Sequence, residues 1–527
     1  MIACYCWRIE FQSKNIRDKE IGGETSLRTY SPTLILIVVA IADMQRWADP
    51  DLWGHLAFGR AMLASGHLTL HDPYSYSAPG HLWLNHEWLS EAMMAAIYNG
   101  LGVIGLKLMK FACCGAVFGF LALGLAETKS PAQIQFAILL IAAVAIGPQI
   151  QFRPQLFTFA MLSALLAILA RFNYRGRAPV WLAIAMLALW ANLHGGFIIG
   201  IATLIIFSAV VLCDDLYIGR GNRRGIWLFS ITAMATIATL ATPYGSGTWR
   251  AVAHALANPH TGAVIDDWQS LPRSLVTMWH LNHVGAIPMI LALAMFVSLA
   301  ATFAMSPRGD DLPMVAIAFV MIVAAFLAMR NLPIAIIATV IPLARHSPLA
   351  FKIASDSGGR SSWIAQAAIA IAAFALLLAT GLLSDTLRAG DPRPVGAIAF
   401  MKQHQLSGNL MADFGWGEYV IWHMAPASKV FIDGRYDTVY PASVIDDYLG
   451  FNYGGSGAND FLRKYPHDFI LLSPNDEAAL KEMSRAPMWT QLYRDANCIL
   501  FARADSAAAK ILSVSISAEE TPKSFFP

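Results

Sequence analysis

Charge is scarce in this 527-residue chain: Asp, Glu, Lys and Arg make up only 14% of it, against roughly a quarter in an ordinary globular protein. With 56% apolar residues and a mean hydropathy of +0.51, that shortage excludes a soluble globular enzyme and a solvated disordered chain. An integral membrane protein is what remains. Neither sign is in excess, since 37 basic residues face 35 acidic ones, and no polyanionic partner such as a nucleic acid is implied. Cysteine is rare and poorly placed for cross-linking. Cys113 and Cys114 sit in an apolar run, Cys213 ends another, Cys4 and Cys6 lie near the N-terminus, and only Cys498 has polar surroundings; neither a disulfide framework nor a C-x-x-C metal site is expected. Residues 1–29 lack an apolar core followed by a small-residue cleavage site, and read as a cytoplasmic lead-in rather than a signal peptide. Internal repeats and low-complexity blocks are absent too.

What the chain does have is apolar runs. Membrane spans are expected near 30–47, 103–126, 132–149, 155–171, 179–194, 196–213, 226–243, 284–304, 313–329, 331–345 and 363–383, about eleven within a membrane domain of residues 30–384. Residues 88–100 are apolar but short and carry Glu91, which suits an interfacial helix better than a crossing. Charge bias supports that choice. With the N-terminus inside, the basic loops at Arg171, Arg175 and Arg177, at Arg220, Arg223 and Arg224, at Arg308, and at Arg345, Lys352 and Arg360 all fall on the cytoplasmic side. Counting 88–100 as a crossing would turn the two richest loops outward.

The outer side then collects the first outer loop (48–102), "QIQFRPQ" (149–155), "WANLHGG" (190–196), residues 242–273, "MRNLP" (329–333) and everything beyond residue 384. Beyond that point the composition turns polar. Short strands "NLMAD", "KVFIDG", "FILLS", "TQLYRD" and "CILFAR" alternate with helices near 393–405, 440–452, 457–465 and 475–486, predicting a soluble α/β domain over 385–505. "DAN" suits a hairpin turn between the last two strands, and residues 506–527 are expected to form a disordered tail.

The first outer loop carries the densest chemistry. "ADPDLWGHLAFGRAMLASG" predicts a helix capped by Asp49, opened by Pro50 and closed at Gly66. Asp51 and His55, four apart, share one face of it. A carboxylate at a membrane boundary is costly unless paired or used, so Asp51 or Asp49 reads as a general base. Both acids could instead merely cap and solvate the helix, or hold a divalent metal such as Mg or Mn with His55 or His86, although hard cations prefer oxygen ligands. His86 and Glu87 open the following helix, where Glu also suits the dipole. Trp83 and Trp88 suit interfacial anchors and sugar-stacking faces alike. Arg153 and Arg330, at the outer edge with few acids nearby in sequence, suit a lipid phosphate, the alternative being simple snorkelling. His194 could bond a substrate hydroxyl or satisfy a nearby carbonyl. Asp267, in "DDW", joins the substrate-binding candidates, as do Asp433 and Arg435 in "FIDGRYD", which equally suit a turn network holding the last domain onto the membrane part.

The order of "DPDLWGHL", "HEWLSE", "QFRPQLFTF", "WANLHGGFIIG", "TPYGSGTW", "DDW", "RNLP", "GWGEYVIW" and "KVFIDGRYD" over nearly the whole chain resembles a large group of bacterial multi-spanning proteins that look like GT-C glycosyltransferases. The resemblance implies an α-helical polytopic fold and a polyprenyl-phosphate-linked sugar donor. It also implies inverting transfer at the outer face of the bacterial inner membrane, to an envelope glycan, lipid or protein acceptor. Such enzymes carry an essential Asp just after the first span, the place of Asp49 or Asp51. In oligosaccharyltransferases, which the last domain distantly resembles, such acids bind a divalent metal; in polyprenyl-phosphate monosaccharide transferases the Asp is the base. The W-W-D-x-G acceptor motif of oligosaccharyltransferases is absent, which speaks against protein N-glycosylation. Two alternatives stay open: a transporter of lipid-linked glycans and a silent component of polysaccharide assembly. Transporters carry broken helices and mid-membrane charges, of which Asp43 is the main instance here.

Overall fold

The structure, a computed structural model, describes residues 32–43, 47–257, 266–306, 311–351, 375, 381–382, 384–390, 392–455 and 458–526. The lead-in 1–29, nearly all of the span expected at 363–383, and Arg308, Lys352 and Arg360 lie outside the described residues. The other ten apolar runs all form helices: Pro32–Ala42, Trp88–Ala126, Ala132–Ile146, Gln155–Arg175, Leu182–Leu193, Phe197–Tyr217, Arg223–Ala238, His283–Met305, Leu312–Leu327 and Leu332–Ala350. Among the described residues, six helices are long and apolar enough to cross a membrane. A helix bonds its backbone polar groups internally, which hydrocarbon surroundings demand. Residues 88–100 are not a separate piece, for they run on into the next span and are set off only by a kink at Gly102 (φ 61°, ψ −150°) that a side chain would resist. Leu332–His346 is buried at every position and forms the axis of the bundle.

The C-terminal region is a six-stranded sheet ordered β4-β3-β5-β7-β6-β8, with β3 Asn409–Ala412, β4 Lys429–Val430, β5 Phe469–Leu472, β6 Trp489–Arg494, β7 Ile499–Arg503 and β8 Val514–Ser515. β3 is parallel to β4 and β5, while β7 is antiparallel to β5 and β6. The β6–β7 turn is closed by the Asp495 N–H donating to the Cys498 carbonyl at 3.0 Å. Helices Val395–Gln403, Ala442–Tyr453, Ala458–Lys464 and Glu477–Ser484 match expectation, and Gly417–Met424 adds one more.

The tail needs correction. Strand β9 (Phe525–Phe526) pairs antiparallel with β2 (Leu387–Ala389), which in turn lies parallel to β1 (Trp47–Ala48), directly before Asp49. Phe526 is fully buried against Trp53, Tyr98 and Trp422. The polar run before it suggests disorder, but pairing with β2 and burial of Phe526 in an aromatic pocket tie the end of the chain down.

The first outer loop and the C-terminal domain share a single core, in which Leu52, Trp53, Phe58 and Trp83 meet Tyr419, Val430 and Ile432. Arg435 clasps the two together. Its Nη1 donates to Asp72 at 2.7 Å and its Nη2 to Asp433 at 2.7 Å, while the guanidinium lies 4.7 Å from the Trp83 ring centre and 5.0 Å from that of Phe58. The membrane end of the molecule thereby acquires a fixed wall.

Candidate functional site

A cavity of about 360 Å³ lies at this seam. Every segment that charge bias assigns to one side of the membrane contributes to its lining: the first outer loop, the turn at Arg153, the helix end at His194, the 242–273 stretch through Asp267, the turn at Arg330, and the C-terminal domain. Nine of the eleven candidate residues line it: Asp51, His55, His86, Glu87, Arg153, His194, Asp267, Arg330 and Arg435. Asp49 and Asp433 do not.

Local structure separates the two aspartates. The helix runs Leu52–Ser65, starting two residues later than the Pro50 start expected from sequence, and ends at Gly66 with φ 69°. Asp51 is its capping residue, yet its side chain makes no capping bond; the Asp49 carboxylate instead accepts the Asp51 N–H at 3.0 Å. Asp49 therefore does the local turn work with a side chain only 3% exposed, and Asp51 presents a side chain 29% exposed to the cavity.

Arg153 is not the unpartnered cation its sequence neighbourhood suggests. Its Nε lies 2.7 Å from Asp49, Nη2 2.9 Å from Asp51 and Nη1 3.4 Å from Asp267. Sequence distance hid these partners, which arrive from two other loops. Burial lifts the Asp51 carboxyl above the usual aspartate range; Arg153 and His55 pull against that lift, and the charges of Asp49 and Glu87 add to it.

Beside this trio lies a histidine and carboxylate cluster. His55 Nδ1 is 3.0 Å from Glu91 and 3.9 Å from Glu87. Burial disfavours a charged His55, but the Glu91 hydrogen bond and the charges of Glu87, Glu91 and Asp51 outweigh it and carry the imidazole up to about 9. For Glu87, burial is likewise outweighed, by His86, His194, His55 and Arg153, and its carboxyl falls below the ordinary range. His194 goes the other way: burial holds it down to about 4, so its ring is neutral. The Gly196 N–H donates to His194 Nδ1 at 2.9 Å, which leaves the proton on Nε2, 3.3 Å from Glu87. Thr158 Oγ1 lies 2.9 Å from His194 Nδ1 and accepts the Trp190 Nε1–H at 2.8 Å. The motif "WANLHGG" thus fixes one tautomer of one histidine.

Arg330 lies 4.3 Å from the centre of the Trp268 ring, both facing the cavity. Arg435 touches the cavity wall but is committed to Asp72, Asp433 and Tyr440, and Asp433 is fully buried. Their place in the molecule is the domain clasp.

Two site residues escape the sequence. Glu91 sits one helical turn beyond Glu87 on the same face, a spacing that could have disclosed it. Glu418, from the Gly417–Met424 helix of the C-terminal domain, lines the cavity at 4% exposure, and its Oε2 has no hydrogen-bond partner among the described residues. Burial, with the charges of Asp51 and Asp433 adding and that of Arg435 opposing, pushes its carboxyl well above the usual range. Its signal was a glutamate inside the otherwise apolar "WGEYVIW".

No protein-family model and no curated protein matches the sequence. Solved structures do match in shape. The chain is similar to the oligosaccharyltransferase of Archaeoglobus fulgidus in its apo form, at 11% identity and TM-score 0.50, covering 93% of this chain and 76% of that one. It is similar to the arabinofuranosyltransferase AftD from Mycobacteria at 14% identity and TM-score 0.51, over 91% of this chain but only 42% of the other. A weaker likeness, at 13% identity and TM-score 0.42, is to ArnT from Cupriavidus metallidurans bound to undecaprenyl phosphate, over 90% and 97% of the two chains. The fold is that of a GT-C-like membrane protein.

Proposed function

We propose that the protein is a membrane glycosyltransferase that moves a sugar from a polyprenyl-phosphate donor to an acceptor hydroxyl in the seam cavity, with Asp51 as base. The observation that carries this reading is the half-buried Asp51 carboxylate, uncommitted to capping, in a cavity that also holds cationic Arg330 and Arg153. The GT-C-like fold supports the reaction class. In the step proposed, the acceptor oxygen bonds to the anomeric carbon while its proton passes to Asp51. The bond from that carbon to the phosphate oxygen breaks, and the polyprenyl phosphate departs as an anion. Arg330 holds the phosphate against Trp268. Arg153 orients Asp51 and reaches the phosphate only by giving up Asp267, the longest of its three contacts. The donor arrives from the membrane, the acceptor is an envelope glycan, lipid or protein, and the cavity faces outward from a bacterial inner membrane.

His55, Glu87 and Glu91 offer one ligand atom each within 4.8 Å of one another, and so fit a divalent cation. One nitrogen and two carboxylates suit Mn better than Mg, which favours an all-oxygen shell. Such an ion, which would take the place of the His55 proton, would supply positive charge for a developing oxyanion. Titration calorimetry with Mn on the wild type and on Glu91→Gln tests this arm.

The reading itself is tested in proteoliposomes given a panel of polyprenyl-phosphate sugars and acceptors, with products read by mass spectrometry. Free polyprenyl phosphate and a new glycoside from wild type, and neither from Asp51→Asn, are expected. Donors that only change leaflet, equally in both proteins, would instead establish a transporter.

A further inference from the structure

The C-terminal domain does more than close the cavity, because it inserts one carboxyl group into it. Glu418 packs directly on Gly54 of the Leu52–Ser65 helix, where any β-carbon would collide with its carboxyl group. Across a narrow gap stands Asp51. A β-carbon built on Gly434 would sit 2.8 Å from Asp51 Oδ1 and 2.8 Å from Glu418 Oε1, so the two oxygens are at most twice that distance apart, with a glycine holding the space between them open. Glu418 Oε2, the oxygen against Gly54, is buried and has no hydrogen-bond partner among the described residues, and Oε1 is the oxygen that faces Asp51.

We propose that Glu418 and Asp51 together seat the acceptor, Glu418 donating a hydrogen bond to the acceptor oxygen and Asp51 accepting that oxygen's proton, and that the acceptor is therefore a polyol such as a sugar. This rests on the transferase reading above. A hydroxyl oxygen offers both a proton and lone pairs, so it satisfies a carboxylic acid and a carboxylate at once. An amide nitrogen has no lone pair to offer, so it cannot fill both roles through one atom as a hydroxyl oxygen does. The charged and titratable groups facing Glu418 are Asp51 and Glu91 from the membrane part and Asp433 and Arg435 from its own domain. Arg435, already bound to Asp433 and Asp72, supplies it no hydrogen bond among the described residues, so the donor role is left to the acid's own proton.

The test uses the full-length protein in nanodiscs, polyprenyl-phosphate-linked pentose and hexose donors, and two kinds of acceptor: octyl glycosides and an asparagine-containing tripeptide. Glu418→Ala is expected to raise the octyl-glycoside KM at least tenfold while leaving the donor KM within twofold. Glu418→Gln, which keeps a neutral donor, should stay within about threefold of wild type. Gly434→Ala should copy the Glu418→Ala defect by filling the gap without removing either carboxyl group. An unchanged glycoside KM in both Glu418→Ala and Gly434→Ala overturns the proposal, as does Glu418→Gln failing as badly as Glu418→Ala, or wild type that glycosylates the peptide and no octyl glycoside. Asp51→Asn run alongside separates the two levels: full activity there overturns the transferase base itself, whereas a dead Asp51→Asn with an indifferent Glu418→Ala overturns only the acceptor seat.

Discussion

The bundle interior and the seam both bury charge, and they do so in opposite ways. In the bundle, Asp43 meets Lys110 at 3.3 Å, and fully buried Asp311 is met by His346 at 3.1 Å and by Tyr174 and Asn173. Each of these two acids has close partners of its own. At the seam, Asp49, Asp51 and Asp267 share one arginine, His55 lies between Glu87 and Glu91, and Glu418 keeps an unbonded oxygen. Buried charges that satisfy one another hold a structure together, whereas charges that compete are a standing cost that substrate or cofactor can relieve. The difference marks where chemistry belongs.

The largest effect expected at the seam is on catalysis: Asp51→Asn should cut transfer by roughly 10²–10⁴-fold, the range of a lost general base, with an unchanged unfolding midpoint in detergent. Arg435→Ala should break the clasp and leave Asp72 and Asp433 as uncompensated buried charges, lowering stability by about 3–5 kcal/mol in urea titrations. Phe526→Ala should cost about 3 kcal/mol and loosen β1 ahead of Asp49, so that kcat falls while donor KM holds. In the bundle, Asp311→Asn should cost about 1–3 kcal/mol and leave kcat and KM at wild-type values, because none of His346, Tyr174 and Asn173 lines the cavity. A change in kcat there would erase the distinction between the regions. The smallest effect is one of pH. Asp51 must be ionised to act and its carboxyl is raised by burial, so activity should fall with acidification at a midpoint above the ordinary aspartate value of 3.8, read from a kcat–pH profile.

Much of the fold was legible because membrane helices advertise themselves through long apolar runs, and the strands "FILLS" and "CILFAR" through β-branched and aromatic content. The segments that meet at the cavity are those that the distribution of Arg and Lys assigns to one side of the membrane. What escaped did so for physical reasons. Arg153 looks solitary because its three acids arrive from loops distant in sequence. Phe526 looks disordered because the docking partners Trp53, Tyr98 and Trp422 each lie more than 100 residues away. Glu418 looks like one polar residue in an apolar helix, and only the approach of Gly54 and Gly434 turns it toward Asp51. Periodicity reports which face of an element is buried, not which loop will meet it.

The most direct measurement is an experimental structure of the protein with a polyprenyl phosphate bound. The phosphate is expected in the seam cavity, beside Arg330 and Trp268, with its free side toward Asp51 and Glu418. A phosphate bound elsewhere, with Arg330 still on Trp268 and the seam empty of ligand, would contradict the assignment of this cavity as the site of transfer.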